Sequence, residues 1–196
     1  MTHSTSFIQT QNRTPSRSLA LKAALVVGGT LLITLGAQAR IPLYPVPITL
    51  QTLAVFLVAG ALGLRLGVSA TALYLVLGLA GLPVFSGATS WLTMQNFTLG
   101  YLIGFIPAAA LMGVASDKGL LHKQSSRLVA LIYATAIVFI PGVLWLSFVT
   151  LGTFEYALEA GLFPFIPGAI VKIIAAAIML PTLTGLVHKA NHKLGA

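Results

Sequence analysis

Residues 48–82 read ITLQTLAVFLVAGALGLRLGVSATALYLVLGLAGL, two apolar runs of 17 residues separated by a single charge, Arg65. Each run reaches the lower end of the length that an α-helix needs to cross a bilayer. Glycines on both sides of the arginine favour a tight turn. The stretch therefore predicts a transmembrane helical hairpin, and it decides the fold class of the chain.

The composition of the whole chain agrees with a membrane protein. Of 196 residues, 57% are hydrophobic and 7% are charged, whereas a soluble domain carries about 25% charged residues. There is no cysteine, which excludes disulfides and thiolate metal sites. The net charge is +8, but the basic residues lie between apolar runs. They indicate contact with anionic lipid headgroups of the bilayer, and no nucleic-acid partner is expected.

Four further apolar runs bring the predicted transmembrane helices to six. They cover residues 19–39, 98–115, 128–151 and 165–187, and each is long enough to span a bilayer. Residues 19–187 are therefore predicted to form one all-α membrane domain of six helices.

The distribution of Lys and Arg predicts the orientation. One set of tails and loops holds most of these residues: Arg13, Arg17, Arg65, Lys118, Lys123, Arg127, Lys189 and Lys193. The opposite loops hold Arg40, Glu155 and Glu159. Because Lys and Arg collect on the cytoplasmic side, both termini are predicted to be cytoplasmic, in the inner (plasma) membrane. Residues 1–18 are expected to be a disordered tail, and residues 188–196 a basic tail.

Three loops on the opposite, outer face predict a ligand pocket. Residues 40–47, 83–97 and 152–164 are rich in Pro, Gly, amides and aromatics. Irregular backbone at a membrane face is tolerated where protein covers it or where it lines a cavity. We expect a pocket open to the outside beneath these loops, with ordinary connectors as the alternative.

Lys172 is the ionisable residue that the apolar runs place near this face. It lies about one turn into the last helix, just after Pro167 and Gly168. A helix N-terminus favours anions, so the lysine is predicted to contact an anionic group of a ligand. The alternative is a structural lysine whose ammonium reaches the lipid headgroups.

Amides and aromatics near the outer face are further candidates. Gln51 and Asn96 each offer N–H donors and a C=O acceptor, which suit a polar heterocycle or a urea; hydrogen bonds between helices are the alternative. Tyr101 and Trp145 are candidates for the wall of a pocket, although interfacial aromatics occur in any membrane protein.

Catalysis finds little support in the sequence. The apolar runs hold no acid or histidine, and no Gly-x-x-x-x-Gly-Lys-Ser/Thr nucleotide-binding motif occurs. The chain is therefore predicted not to be an enzyme, to hold no metal or cofactor of its own, and to need a partner for any active transport. Ala20 and Ala24, with Gly28 in the same row, form a small-residue pattern that lets another helix approach closely.

A series of motifs in order resembles the BioY family. The motifs are VPITLQ at 46–51, GALGLRLG at 60–67, YLVLGLAGLPVF at 74–85, LGYLIGF at 99–105, WLS at 145–147, and FIPG at 165–168 followed by Lys172. BioY proteins are the biotin-specific, substrate-binding S components of energy-coupling factor (ECF) vitamin transporters. The resemblance runs from about residue 20 to 188.

The resemblance implies partners for the chain. An S component binds its vitamin from outside, docks onto a transmembrane coupling protein that two ATPase subunits drive with ATP, and topples in the membrane to release the vitamin inward. Small residues of the first helix form part of the docking surface, and Ala20 and Ala24 match them.

The resemblance also implies roles for the candidate site residues. Gln51 and Asn96 would bind the urea of biotin, and Lys172 would bind its carboxylate. Tyr101 and Trp145 would contact the apolar middle of the ligand.

Two departures from the family pattern leave alternatives open. Ala169 stands where the family usually has an aspartate, and the loop of residues 86–96 lacks the family's arginine. An S component for a related vitamin or a precursor such as dethiobiotin is one alternative. A membrane assembly or interaction protein without enzymatic activity is the other.

Overall fold

Helices make up most of the protein, whose computed structural model describes residues 15–94, 96–150 and 153–194. The helices are α1 (Pro15–Gln38), α2 (Gln51–Leu79), α3 (Leu99–Asp117), α4 (Gln124–Val149), α5 (Phe154–Gly161) and α6 (Ile166–Leu194). Two short strands, β1 (Arg40–Ile41) and β2 (Ile48–Thr49), lie between α1 and α2. Within the described chain, 5 segments are long and apolar enough to cross a membrane. The prediction of an all-helical membrane protein is confirmed.

The α2 segment folds back on itself at Gly63, where the backbone leaves the helical region (φ 78, ψ −178). The side-chain amide of Gln51 donates to the Tyr74 hydroxyl across the two arms. Gly67 packs so closely on Ala59 that a Cβ would not fit between them. These contacts join residues equidistant from the turn, so the two arms run antiparallel.

The turn lies at Gly63, two residues before Arg65. The sequence predicts the turn around Arg65, between Gly63 and Gly67. The Asp117 carboxylate, at the end of α3, accepts the backbone N–H of Leu64 at 3.1 Å. A Cβ at Gly63 would collide with the same carboxylate. The turn therefore forms at Gly63 because its backbone conformation is open almost only to glycine and because α3 caps the second arm.

Replacing Gly63 with alanine is expected to destabilise the protein by about 1–3 kcal/mol, because the backbone must stay in a region that alanine avoids. The measurement is the midpoint of thermal unfolding in detergent. Gly185→Ala is the control, since Gly185 lies in α6 with nothing within 4 Å of an added Cβ. That change should leave the midpoint unchanged or raise it. Equal midpoints for the two variants would contradict the role of Gly63.

The chain ends differ from the predicted tails. Helix α1 begins at Pro15, inside the stretch 1–18 that the sequence predicts to be disordered; residues 1–14 lie outside the described residues. Proline suits the first helical position because its missing N–H has no partner there. At the other end α6 continues to Leu194, so the predicted basic tail is largely helical.

The predicted irregular connection at 152–164 contains a helix, α5. The Thr153 hydroxyl caps it by accepting the Tyr156 N–H at 3.2 Å, and Glu155 lies in its first turn, where an acid is favourable. Glu155 and Glu159 are one turn apart on it. Capping and charge placement thus stabilise a short helix in a segment that the sequence predicts to be irregular.

Helix α2 is the centre of the packing. It contacts α1, α3 and α6, and α4 packs on α3 and α6. The α3–α4 contact is close because Gly100 and Gly104 face the Pro141–Gly142 region without a side chain of their own. Small residues at helix contacts are the usual means of tight packing in a bilayer.

The outer surface of the bundle is apolar. Phe148 of α4 is 73% exposed and Ile178 of α6 is 71% exposed, whereas Tyr74 and Phe56 of α2 are fully buried. Large apolar side chains on so much of the surface are stable only against lipid, which agrees with a membrane location.

Candidate ligand-binding site

A β-hairpin covers one end of the helical bundle. Strands β1 and β2 are antiparallel, with Arg40 opposite Thr49 and Ile41 opposite Ile48. The connection between them carries three prolines at positions 42, 45 and 47, which remove N–H donors and keep the backbone extended. The hairpin leads directly into the N-terminus of α2.

A second covering segment follows α2. Its turn is held by a bridge between Phe85 and Thr89. The side chain of Gln38, the last residue of α1, joins this turn: its Nε2 donates to the Phe85 carbonyl at 3.1 Å and its Oε1 accepts the Ala88 N–H at 2.9 Å. The two covering segments are therefore held side by side.

A cavity of about 490 Å³ lies beneath these segments, a size typical of sites for small organic ligands. Its lining comes from the β-hairpin, the 85–94 segment, the N-terminal parts of α2, α3 and α6, the 3-10 turn before α6, and the interior of α4. The lining residues that matter below are Arg40, Thr49, Gln51, Thr52, Ser86, Tyr101, Phe139, Phe165 and Lys172. Two of these are cations, and no carboxylate belongs to the lining among the described residues.

The floor of the cavity is polar around Gln51, which is 6% exposed. Its Nε2 donates to the Tyr74 hydroxyl, and its Oε1 accepts the Thr49 hydroxyl at 2.8 Å. A primary amide offers two N–H donors and two acceptor lone pairs. One N–H and one lone pair of Gln51 therefore remain for a ligand.

Lys172 reaches the same floor from α6 and is 8% exposed. Its ammonium donates to the Thr52 hydroxyl at 2.9 Å and to the Thr49 carbonyl at 3.2 Å. An ammonium has three N–H donors, so one remains. The cation is held inside the protein, and it does not extend toward the lipid headgroups.

Thr49 connects the two polar residues of the floor. Its hydroxyl bonds Gln51 and its carbonyl bonds Lys172. The amide and the ammonium thus belong to one cluster, which we call the polar floor (Thr49, Gln51, Thr52, Tyr74 and Lys172). A small ligand would meet both groups with the same end.

One wall of the cavity is aromatic. The ring of Tyr101 stacks on Phe165 with centroids 6.3 Å apart and meets Phe139 edge-on at 6.1 Å. The Tyr101 hydroxyl donates to the Gly161 carbonyl at 2.7 Å, which ties the wall to α5. Gly142 leaves room for the tyrosine ring, since a Cβ there would overlap it. The wall suits the apolar part of a ligand.

The other predicted site residues lie elsewhere. Trp145 is half-buried, packs near Phe148 with ring centroids 6.0 Å apart, and is not among the residues that line the cavity. Asn96 begins a 3-10 turn at the start of α3, and its side chain lies outside the described part. The structure brings Gln51, Tyr101 and Lys172 together and leaves Trp145 outside the cavity.

Ala169 lines a second, nearly wholly apolar groove of about 470 Å³ between α4, α5 and α6. It is 8% exposed. Ile170 and Ile173 of α6 line the same groove. The alanine therefore does not belong to the lining of the polar cavity.

The small residues of α1 lie on its outer face. Ala20 and Ala24 are exposed, and a Cβ at Gly28 would meet nothing within 4 Å. Gly29, by contrast, packs against Val58 of α2. The row of small residues therefore packs against no other helix of the described bundle.

Three residues of the site are missed by sequence reasoning. Tyr74 lies in the middle of an apolar run, Ser86 lies in a loop, and Arg40 was counted only as a loop charge. Tyr74 could have been found from its distance to the turn. With the turn at Gly63, Tyr74 lies opposite Gln51 on the other arm. The other two depend on contacts between distant loops.

The fold and the cavity define a class: a helical membrane protein that holds a small molecule with one polar end and an apolar portion. Comparison with known proteins narrows the class. The BioY family model matches residues 7–189, and the chain belongs to the BioY family.

Individual relatives agree with this assignment. A biotin transporter, BioY2, of Lactococcus lactis subsp. cremoris is 36% identical over 168 residues, covering 84% of this chain and 91% of the relative. The biotin transporter BioY of Thermotoga maritima is 37% identical over 153 residues, covering 76% and 88%. The crystal structure of an S component for biotin from an ECF-type ABC transporter is similar with a TM-score of 0.76 at 25% identity, covering 87% of this chain and 94% of that one.

Proposed function

We propose that this chain is the biotin-binding S component of an ECF-type transporter in the inner (plasma) membrane. Membership of the BioY family and a covered cavity with a polar floor and an aromatic wall carry the proposal. The chain binds biotin, and ATP hydrolysis by two partner ATPase subunits, acting through a coupling protein, drives its release inward. The protein itself performs no chemical step.

The proposal includes six transmembrane segments with both termini cytoplasmic. The reversal at Gly63 makes α2 a pair of arms, which adds one segment to the 5 candidate spans. The turn at Gly63, the α3–α4 connection with Lys118 and Lys123, and the C-terminal end of α6 then share the basic, cytoplasmic face. The cavity opens on the opposite face.

The polar floor binds the urea of biotin. The free N–H and free lone pair of Gln51 match the C=O and N–H of a urea, and the remaining N–H of Lys172 points to the same end of the ligand. The sequence-based assignment gave Lys172 the carboxylate, at the far end of biotin. We revise it because Thr49 holds both side chains in one cluster. Asn96 remains a candidate for the urea.

The aromatic wall contacts the apolar middle of the ligand. Tyr101, Phe139 and Phe165 supply stacked and edge-on rings along one side of the cavity. We assign this role to Tyr101 with Phe139 and Phe165, and the earlier candidate Trp145 supports the wall from outside, near Gly100.

Titration of the purified chain with biotin in a calorimeter tests the function. Binding tighter than micromolar is expected, because a ligand buried with its polar groups paired gains from both the floor and the wall. Micromolar or weaker binding of biotin, together with tight binding of another vitamin, would contradict the proposal.

A precursor such as dethiobiotin is the second candidate ligand. Ala169 stands where the family usually has an aspartate, so that residue does not carry the ligand preference of other members over to this chain. Dethiobiotin keeps the urea and the carboxylate, so direct competition is needed to separate the two. Labelled biotin should be displaced by unlabelled biotin at lower concentration than by unlabelled dethiobiotin; the reverse order would favour the precursor.

A further inference from the structure

Arg40 lies at the mouth of the cavity, and its role is not explained by the fold. It is exposed and lines the cavity, whereas Lys172 is buried at the floor. From β1 its guanidinium reaches the turn after α2 and packs on Gly87, where no Cβ would fit beside it. The guanidinium thus crosses from one covering segment to the other.

The guanidinium has unused hydrogen-bonding capacity. No hydrogen bond or ion pair joins it to another residue in the part of the chain that the structure describes, and no described carboxylate lines the cavity. Arginine presents a planar fork of donors that fits a carboxylate with two parallel hydrogen bonds. An anion bound in the cavity would match this fork.

Ser86 provides a second, independent observation. It lines the same cavity and adjoins Gly87, against which the guanidinium packs. Its Oγ is buried and has no hydrogen-bond partner. Buried hydroxyls are nearly always paired, and rotation of the Ser86 side chain toward the cavity would let a ligand acceptor supply the missing partner.

We propose that Arg40 and Ser86 bind the carboxylate of the ligand at the mouth of the cavity. The inference rests on the proposed function and completes it: the urea lies at the polar floor, and the carboxylate lies beneath the two covering segments. The 86–96 loop contributes no arginine of its own. In this chain the cation comes from β1 and reaches that loop from the other side.

The test compares biotin with biotin amide, which has the same shape and no negative charge. Arg40→Ala should weaken binding of biotin by about tenfold or more, the usual loss for a hydrogen bond to a charged group. Binding of the amide should change by less than about threefold, since the amide carries no negative charge and cannot accept two parallel hydrogen bonds from the guanidinium as a carboxylate does. Arg40→Lys should restore part of the affinity for biotin, because the charge remains and the fork is lost.

Two further variants complete the design. Ser86→Ala should lower the affinity for biotin more than that for the amide. Arg65→Ala is the matched control, since Arg65 is exposed at the opposite end of the bundle, and it should change neither affinity. Salt should weaken biotin binding to the unaltered chain and have much less effect on Arg40→Ala, because an exposed charge pair is screened.

The outcomes separate the two levels of inference. Equal losses for biotin and its amide in Arg40→Ala would show a structural role and overturn the carboxylate site, as would unchanged affinity for both. If the unaltered chain binds neither compound, the proposed function itself fails, and the carboxylate site fails with it.

Discussion

Replacing Lys172 with methionine is expected to weaken biotin binding by about 10- to 100-fold. Methionine keeps a similar length but has no N–H donor, so the charge-assisted hydrogen bond to the ligand is lost. The Thr49 carbonyl and the Thr52 hydroxyl also lose their shared donor, which loosens the floor. Calorimetry with the purified variant measures the change, and thermal unfolding shows whether the variant is folded.

The control for Lys172 lies on the same helix. Lys189 is exposed near the other end of α6, and Lys189→Met should leave affinity unchanged. Because Lys172 is assigned to the urea, its loss should affect biotin and biotin amide equally. A loss confined to biotin would instead restore the carboxylate to Lys172, and unchanged binding of both would make it a purely structural lysine.

Changing both Ala20 and Ala24 to tryptophan is expected to abolish energised uptake of biotin and to leave biotin binding intact. The two alanines are exposed on α1 and open a path for close approach by another helix. Two indole rings would hold a coupling protein away from the helix backbone. Uptake is measured in cells that also contain the coupling protein and the ATPase subunits.

A bulky residue elsewhere on the apolar surface provides the comparison. Tyr133 of α4 is 62% exposed, and Tyr133→Trp should preserve uptake. Uptake that survives in the double tryptophan variant would show that this face of α1 is not the docking surface. Loss of biotin binding in that variant would indicate disturbed folding. The smaller change Ala24→Ser should then be tested, because it is expected to leave the fold intact.

Sequence reasoning succeeded where a single residue interrupts a long apolar run. Lys172 is an isolated charge near a helix N-terminus, and it lies in the lining of the cavity. The hairpin is signalled by Arg65 and its glycines, which divide the 35-residue stretch 48–82. The turn lies at Gly63, the first of the two glycines that flank Arg65. It depends on Asp117, whose contact with Leu64 comes from a different helix.

The direction in which side chains face was harder to predict. In a helix that is apolar on all sides, no polar stripe indicates the face that points inward. Trp145 was therefore chosen for the wall of the cavity, whereas Phe139, nearly two turns earlier on α4, lines it. Arg40 gains its position only from the pairing of β1 with β2 and from the turn at Gly87, neither of which leaves a local signal.

The short first arm of α2 has a consequence for the surrounding lipid. From Gln51 to Leu62 there are twelve residues, which span about 18 Å at 1.5 Å per residue, against a hydrocarbon layer of about 30 Å. The β-hairpin and the 85–94 segment therefore lie at the level in the bilayer that the end of a full-length helix would occupy. A bilayer can match such a short segment by thinning locally. Ligand affinity in this protein should accordingly respond to the acyl-chain length of the membrane that holds it.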